Sequence, residues 1–108
     1  MKISGGNALV KSLVQHDVKH IFCVPGESYL GALDGLFEQK GAIDVLNARH
    51  EAGAANMAES YGKLTGKPGI AFVTRGPGAC HASVGVHISF QDSTPLILFV
   101  GNISRGVK

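Results

Sequence analysis

Short apolar runs alternate along this chain with longer stretches whose apolar positions recur at helical spacing, and that alternation predicts the order of elements. Leu9, Val10, Leu13 and Val14 fall on one helical face opposite Lys11 and Gln15, so a first helix is expected from Asn7, with Gly5 and Gly6 preceding it. His20 to Val24 is a continuous run, too short for a helix and closed by Pro25-Gly26, which predicts a buried strand. Leu30, Leu33, Leu36 and Phe37 mark a second helix ending near Lys40-Gly41, and Ile43 to Ala48 a second strand. A third helix is expected over His50 to Thr65, where no proline interrupts and Gly66 stands ready as a C-cap. Ile70 to Val73 gives a third strand, Ala82 to Phe90 a fourth helix rich in small residues, and Leu96 to Val100 a fourth strand. Strands apolar on both faces, alternating with helices, call for an α/β fold: a doubly wound, predominantly parallel sheet with helices on both faces and right-handed crossovers.

The third helix carries the first candidate chemistry. Advancing 100° per residue places Leu64, Met57, Tyr61, Ala54, Ala58, Glu51, Gly62 and Ala55 on one arc, and Asn56, Glu59, Ser60 and Lys63 on the other. Glu59 and Lys63 stand in the favourable i,i+4 order. Glu51 therefore lies on the apolar arc, beside small residues that would admit another backbone, a helix or a flat ligand. A carboxylate in a first helical turn has a structural explanation, since it complements the macrodipole. It also has a functional one: burial without a cationic partner raises a carboxyl pKa and makes a proton donor or acceptor useful near neutrality.

Composition narrows the classes. At 108 residues the chain is one domain or less, and 44% hydrophobic with 17% charged residues excludes a disordered chain. Fifteen glycines point to tight turns or close backbone contacts. The net charge of +2 is scattered, with no basic run or aromatic ladder, so no nucleic-acid partner is expected. No apolar run reaches the ~18 residues of a membrane span and no signal-peptide pattern opens the chain, so a cytoplasmic location is the default expectation and no membrane partner is expected. Cys23 reads as a core thiol, and Cys23 and Cys80 together imply neither a disulfide framework nor a zinc site. The histidines His16, His20, His50, His81 and His87 show no metal-ligand spacing, so no metal ligand is assigned. Gly101 to Lys108 is polar and follows a strand that should lead into further elements, which suggests a fragment of a larger polypeptide.

In open parallel sheets, ligands bind beyond the carboxyl ends of the strands. The residues there are Pro25-Gly26-Glu27-Ser28-Tyr29, Arg49-His50-Glu51, Thr74-Arg75-Gly76-Pro77-Gly78-Ala79 and Gly101-Asn102. Gly76-Pro77-Gly78 reads either as a tight turn or as backbone N–H groups presented to a polar ligand edge. Glu27 reads locally as a solvated loop charge or as a catalytic group. The G-x-G-x-x-G and Walker A patterns are absent, as is a G-x-S-x-G nucleophile elbow.

Taken in order, Phe22-Cys23-Val24-Pro25-Gly26, Arg49-His50-Glu51-Ala52-Gly53-Ala54, Ala58-Glu59-Ser60-Tyr61-Gly62, Thr74-Arg75-Gly76-Pro77-Gly78-Ala79 and Gln91-Asp92-Ser93-Thr94-Pro95-Leu96 resemble the amino-terminal pyrimidine-binding domain of thiamine-diphosphate enzymes of the acetolactate synthase and 2-keto acid decarboxylase family. The resemblance covers nearly the whole chain. It implies that Glu51 is catalytic, hydrogen-bonding N1′ of the aminopyrimidine and promoting the imino tautomer that removes the thiazolium C2 proton. The resulting ylide attacks a 2-keto acid, and carbon dioxide is lost.

The same resemblance places Pro25, Gly26, Pro77 and His81 beside the cofactor, and the Glu51 helix at a subunit interface. His81 stands where synthases often have asparagine. Glu27 replaces a glycine of synthases or an aspartate of decarboxylases, which makes it a candidate second acid/base, and Arg75 replaces a serine and could meet a substrate carboxylate. The paired histidines of decarboxylases are missing from Gly101 to Arg105.

Residues 1–108 are thus expected to be one pyrimidine-binding domain, incomplete at its carboxyl end. The middle and diphosphate-binding domains are absent, and with them the Gly-Asp-Gly motif that holds Mg2+ and the diphosphate, so this chain alone should be inactive. The expected partners are a 2-keto acid and further copies in a homodimer or homotetramer with a shared active site. An acetolactate synthase-like activity is the leading expectation. A simple decarboxylase or related lyase is the alternative within the enzyme class, and a non-catalytic ligand- or partner-binding module the alternative outside it.

Overall fold

The computed structural model describes residues 2–107. Its elements run α1 (Gly5–Gln15), β1 (His20–Cys23), a 3-10 turn (Glu27–Tyr29), α2 (Leu30–Glu38), β2 (Asp44–Asn47), α3 (Glu51–Thr65), β3 (Gly69–Val73), α4 (Pro77–Asp92) and β4 (Leu96–Val100). All strand pairs are parallel, in the order β2-β1-β3-β4. The chain steps from β1 outward to β2, returns across β1 to β3, and continues to β4. The direction of winding therefore reverses between β1 and β3, which is where a doubly wound sheet opens a crevice.

The strands separate two unlike cores by simple alternation. Ile21, Cys23, Ile70 and Phe72 face α1 and α2, where they meet Val10, Leu13, Leu36 and Tyr29. Phe22 and Ala71 face α3 with Ala54 and Ala58, while Val73 packs with Ala55 and Ala82. Side chains of period two thus give the α1/α2 side its bulk and the α3/α4 side its small residues.

Local chemistry explains most boundaries. Ser4 caps α1, its Oγ accepting from the Asn7 N–H at 3.1 Å, so the helix begins at Gly5 and includes the glycines expected to precede it. Within it, a Cβ on Gly6 would lie 2.1 Å from the Gly31 carbonyl oxygen, so glycine permits the α1/α2 crossing. His50 caps α3 through Nδ1, which accepts from the Ala52 N–H at 3.1 Å, and Gly66 closes it with φ 73°. Helix α4 begins at Pro77, earlier than Ala82, because proline at the first helical position has the right φ and no N–H to leave unpaired.

Four expectations are corrected. Strand β2 is exposed at all its positions, because it is an edge strand paired to β1 on one side. Glu59, assigned to the solvated arc, is 7% exposed, accepting from Thr94 Oγ1 at 3.2 Å and pairing with Lys63 at 3.5 Å. Leu64, assigned to the apolar arc, is 87% exposed in the last turn of α3. The small face of α3 is filled from within the chain: Cβ atoms built on Gly69, Gly85 and Gly62 would lie 1.8, 2.5 and 2.3 Å from Ala58, Ala55 and Pro95. That face seats β3, α4 and the β4 approach, leaving the outer side of the helix for any neighbouring subunit.

Among the described residues, no helix is long and apolar enough to cross a membrane. Cys23 is buried and burial raises its thiol pKa, as befits a core thiol; its Sγ lies 3.2 Å from Asn47 Oδ1.

Candidate functional site

The loops after β1 and β3 meet at the reversal point, and glycine lets them meet. A Cβ on Gly26 would lie 2.6 Å from Thr74 Cβ, and one on Gly78 would lie 2.9 Å from Thr74 Cγ2. Ser28 ties the edge together. Its Oγ shares a hydrogen bond with Thr74 Oγ1 at 2.6 Å and accepts from the Arg75 N–H at 3.1 Å. Gly101, at the end of β4, packs so closely that a Cβ would lie 2.0 Å from the same Oγ. Beneath this, the Tyr29 hydroxyl donates to the Val24 carbonyl, and burial pushes the Tyr29 pKa up.

Helix α3 starts at this edge and brings Glu51 to it. The Glu51 side chain is 13% exposed; Oε1 lies 2.9 Å from His81 Nδ1, and Oε2 lies 3.5 Å from the position a Gly78 Cβ would take. The expected upward pKa shift is not found. The His81 hydrogen bond holds the Glu51 carboxyl below its ordinary value, helped by its own backbone N–H and by the charges of His81 and His50, while burial opposes them. The hydrogen-bond partner that the local sequence lacked arrives from α4.

His81 in turn stacks on His50, with ring centroids 4.4 Å apart and planes inclined by 27°. Ligand atoms of His50, Glu51 and His81 lie within 4.8 Å of one another. As they stand they do not form a metal centre. An imidazole binds a metal in its ring plane at roughly 2 Å, and stacked planes this nearly parallel do not meet within that reach. His50 Nδ1 is moreover committed to the helix cap.

The residues singled out from the sequence divide into groups. Gly26, Thr74, Gly78, Glu51 and His81 form one continuous chain of contacts. Pro77 is exposed at the first position of α4. Pro25 lines a cavity of about 440 Å³ toward α2 and β2, with Leu36 and Asn47. Glu27 and Arg75, both exposed, share a separate polar cavity of about 450 Å³ with Ser28, Asn102 and Ser104. The largest of the described cavities, about 580 Å³, lies at the opposite edge between the end of α1 and the amino ends of the strands, away from all of these.

Sequence reasoning missed Ser28 and His50 as parts of the site. A serine in a Gly/Pro loop at a strand end is the only signal for the first. For the second, the sequence offers only its place before the helix.

A family model described as "Thiamine pyrophosphate enzyme, N-terminal TPP binding domain" matches residues 3–107. The chain belongs to this family. Curated relatives of this thiamine pyrophosphate enzyme domain include an acetolactate synthase of Arthrospira platensis, 40% identical over 106 residues, covering 96% of the chain. An acetolactate synthase of Bacillus subtilis is 38% identical and the acetolactate synthase isozyme 3 large subunit of Escherichia coli 37% identical, each over 105 residues and 97% of the chain. The chain spans 18% of the length of each of these relatives. The expected family and the expected fold, a predominantly parallel α/β sheet with helices on both faces, are both borne out, and the sheet is parallel throughout.

Proposed function

We propose that this chain is the pyrimidine-binding part of a full-length enzyme of acetolactate synthase type, with middle and diphosphate-binding domains elsewhere in that polypeptide. One observation carries the reading: the Glu51 carboxylate stands at the winding reversal of the sheet with one oxygen toward the space left by Gly78. The residues present fit an aminopyrimidine. A Cβ at Gly78 would lie 2.9 Å from Thr74 Cγ2, so glycine there lets the start of α4 close on the β3 end, and Oε2, which His81 does not bond, lies 3.5 Å from that Cβ position. Bound thiamine diphosphate supplies the carbanion-stabilising chemistry that decarboxylates a 2-keto acid and carries the remaining acyl group. Glu51 holds or delivers a proton at the pyrimidine ring nitrogen. Gly26 lets its loop close on Thr74, and Pro77 with the backbone of Gly76 and Gly78 would help hold the pyrimidine. Mg2+ and the diphosphate belong to the separate domain.

The assembly we infer is a homodimer or homotetramer with a shared active site. The outward apolar side chains of α3 and α4, Leu64 at 87% and Phe90 at 80% exposed, support it. A decarboxylase or lyase activity is the second reading, favoured by Glu27 and Arg75 lining one polar cavity, as an acid/base and a carboxylate partner would.

The test uses the full-length protein. Incubation with pyruvate, 2-ketobutyrate and benzoylformate in the presence of thiamine diphosphate and Mg2+ should give an acyl-transfer product from at least one of them. Aldehyde alone would favour the second reading. Glu51→Gln should slow turnover and C2-proton exchange of bound cofactor by ~10²- to 10⁴-fold with the circular dichroism unchanged. Unchanged exchange would remove Glu51 from the proposed role.

A further inference from the structure

The ends of β1, β3 and β4 meet on one hydroxyl. Ser28 Oγ shares a hydrogen bond with Thr74 Oγ1 at 2.6 Å, accepts from the Arg75 N–H at 3.1 Å, and abuts Gly101 so closely that a Cβ there would lie 2.0 Å away. The backbone on either side of Thr74 is held as well. The Val73 carbonyl accepts from the Gly101 N–H at 2.9 Å, and the Arg75 N–H is spent on Ser28. With the main chain fixed, the freedom left to Thr74 is its one side-chain torsion, which decides the atom that faces each neighbour.

Threonine carries a hydroxyl, a methyl and a hydrogen on one chiral carbon, so placing one of them places all three. Here Oγ1 points to Ser28 and lies 2.9 Å from the position a Gly26 Cβ would take. Cγ2 therefore faces Gly78, where a Cβ would lie 2.9 Å from Cγ2 and 3.5 Å from Glu51 Oε2. The Thr74 methyl and Oε2 thus approach the same point from two sides. Oε2 is also the carboxylate oxygen that His81 leaves alone, since His81 Nδ1 bonds Oε1. A methyl beside Oε2 leaves its lone pairs to a ligand, whereas a hydroxyl there is a donor aimed at them. One 120° step of the torsion exchanges the two.

We propose that Ser28 is a positioning residue that fixes the Thr74 side chain with its methyl, and not its hydroxyl, toward Gly78 and Glu51 Oε2, and so keeps that oxygen available to the aminopyrimidine. The inference rests on the role given to Glu51 above and needs no contact between Ser28 and the cofactor. Among the described residues, no other side chain bonds Thr74 Oγ1. A part-buried hydroxyl deprived of its partner turns to another acceptor, because leaving it unpaired is costly. Without the Ser28 oxygen, the Glu51 side of Thr74 offers such an acceptor in Oε2.

The experiment is calorimetric titration of full-length, cofactor-free protein with thiamine diphosphate and Mg2+, comparing wild type with Ser28→Ala and with the double variant Ser28→Ala/Thr74→Val, each checked for an unchanged circular dichroism spectrum. Ser28→Ala should weaken binding about three- to tenfold, because the freed Thr74 hydroxyl engages Oε2. The double variant has no hydroxyl to misplace and keeps a methyl toward Gly78, so its affinity should return to within about twofold of wild type. Both variants lack the Ser28–Thr74 bond, so a serine that merely fastened the loops together would show no recovery. Should Ser28→Ala fail to fold, Ser28→Cys takes its place in both proteins, since a thiol is a weak hydrogen-bond partner, and the same order is expected. Undiminished binding by the single variant, or a double variant that binds no better than the single one, would overturn the inference while leaving the cofactor site standing. Absence of binding by wild type would overturn the reading of the site and this inference with it.

Discussion

The two faces of the sheet are built from different materials. On the α1/α2 side, Phe72, Ile21, Ile70 and Val10 fill the space between helix and strand, and Phe72 stacks on Phe99 with centroids 4.7 Å apart. On the α3/α4 side Phe22 and Val73 project from the strands, but the helices meet the sheet and one another through Ala54, Ala55, Ala58 and Ala82 against Gly85, Gly69 and β-strand backbone. Large side chains bury more apolar area and can shift rotamers to absorb small errors. Backbone-to-backbone packing has no such slack, so it stabilises less per residue and fixes position more tightly. The side that carries Glu51 and His81 is the close-packed one, which is what a proton-handling group needs when misplacement by about 1 Å is costly.

The largest expected effect tests the bulky side. Phe72 is 1% exposed and touches Tyr29 and Phe99, so Phe72→Ala should destabilise the domain by roughly 3–5 kcal/mol, read from the urea midpoint of its unfolding transition. Because no atom of Phe72 bounds the Glu51 edge, protein that remains folded should keep its affinity for thiamine diphosphate. A loss of affinity in proportion to stability would erase the distinction between the two faces.

Gly69→Ala sharpens the comparison from the other side. Its new methyl would lie 1.8 Å from the Ala58 carbonyl oxygen, a backbone atom that cannot turn away, so α3 must shift bodily. The expected cost is about 1–3 kcal/mol, smaller than that of Phe72→Ala. Yet it should weaken cofactor binding in the folded protein, because Glu51 rides on the same helix. An unchanged dissociation constant would show that α3 does not transmit position to its first turn.

The difference between the faces also decides what was legible in the sequence. Element order was readable because the strands are short apolar runs and three of the four are closed by glycine or proline, as in Val24-Pro25-Gly26 and Val73-Thr74-Arg75-Gly76. Exposure of β2 was not readable, since Val45 and Leu46 look like core residues until the strand order makes them an edge. Glu59 and Leu64 were misassigned because a helical wheel gives angles but not which neighbours cover them. Glu51 was identified from its place after a strand. Its pKa direction was not, because the imidazole that sets it comes from another helix, at His81. Local chemistry is thus written locally, while the electrostatics of the site depend on helix packing.

Tyr29 gives the smallest predicted effect and joins the two faces. It packs on Phe72 in the bulky core while its hydroxyl donates to the Val24 carbonyl just below the β1 loop. Burial, and after it the charges of Cys23 and Glu51, raise its pKa. A raised pKa means the folded state binds the phenolic proton more tightly than the unfolded chain does. The stability this represents is fully present below the unfolded value of 10.0 and declines as pH rises past it. Cys23, raised by burial from 9.0, adds a decline of the same sign that begins lower. Tyr29→Phe should therefore cost about 1 kcal/mol at neutral pH through the lost hydrogen bond, yet lose stability less steeply than wild type above pH 10. Urea unfolding at pH 7 and above pH 10 reads both quantities. Equal alkaline slopes would assign the decline to Cys23 alone, and a variant as stable as wild type at pH 7 would mean that the hydroxyl does not hold the β1 loop to the core.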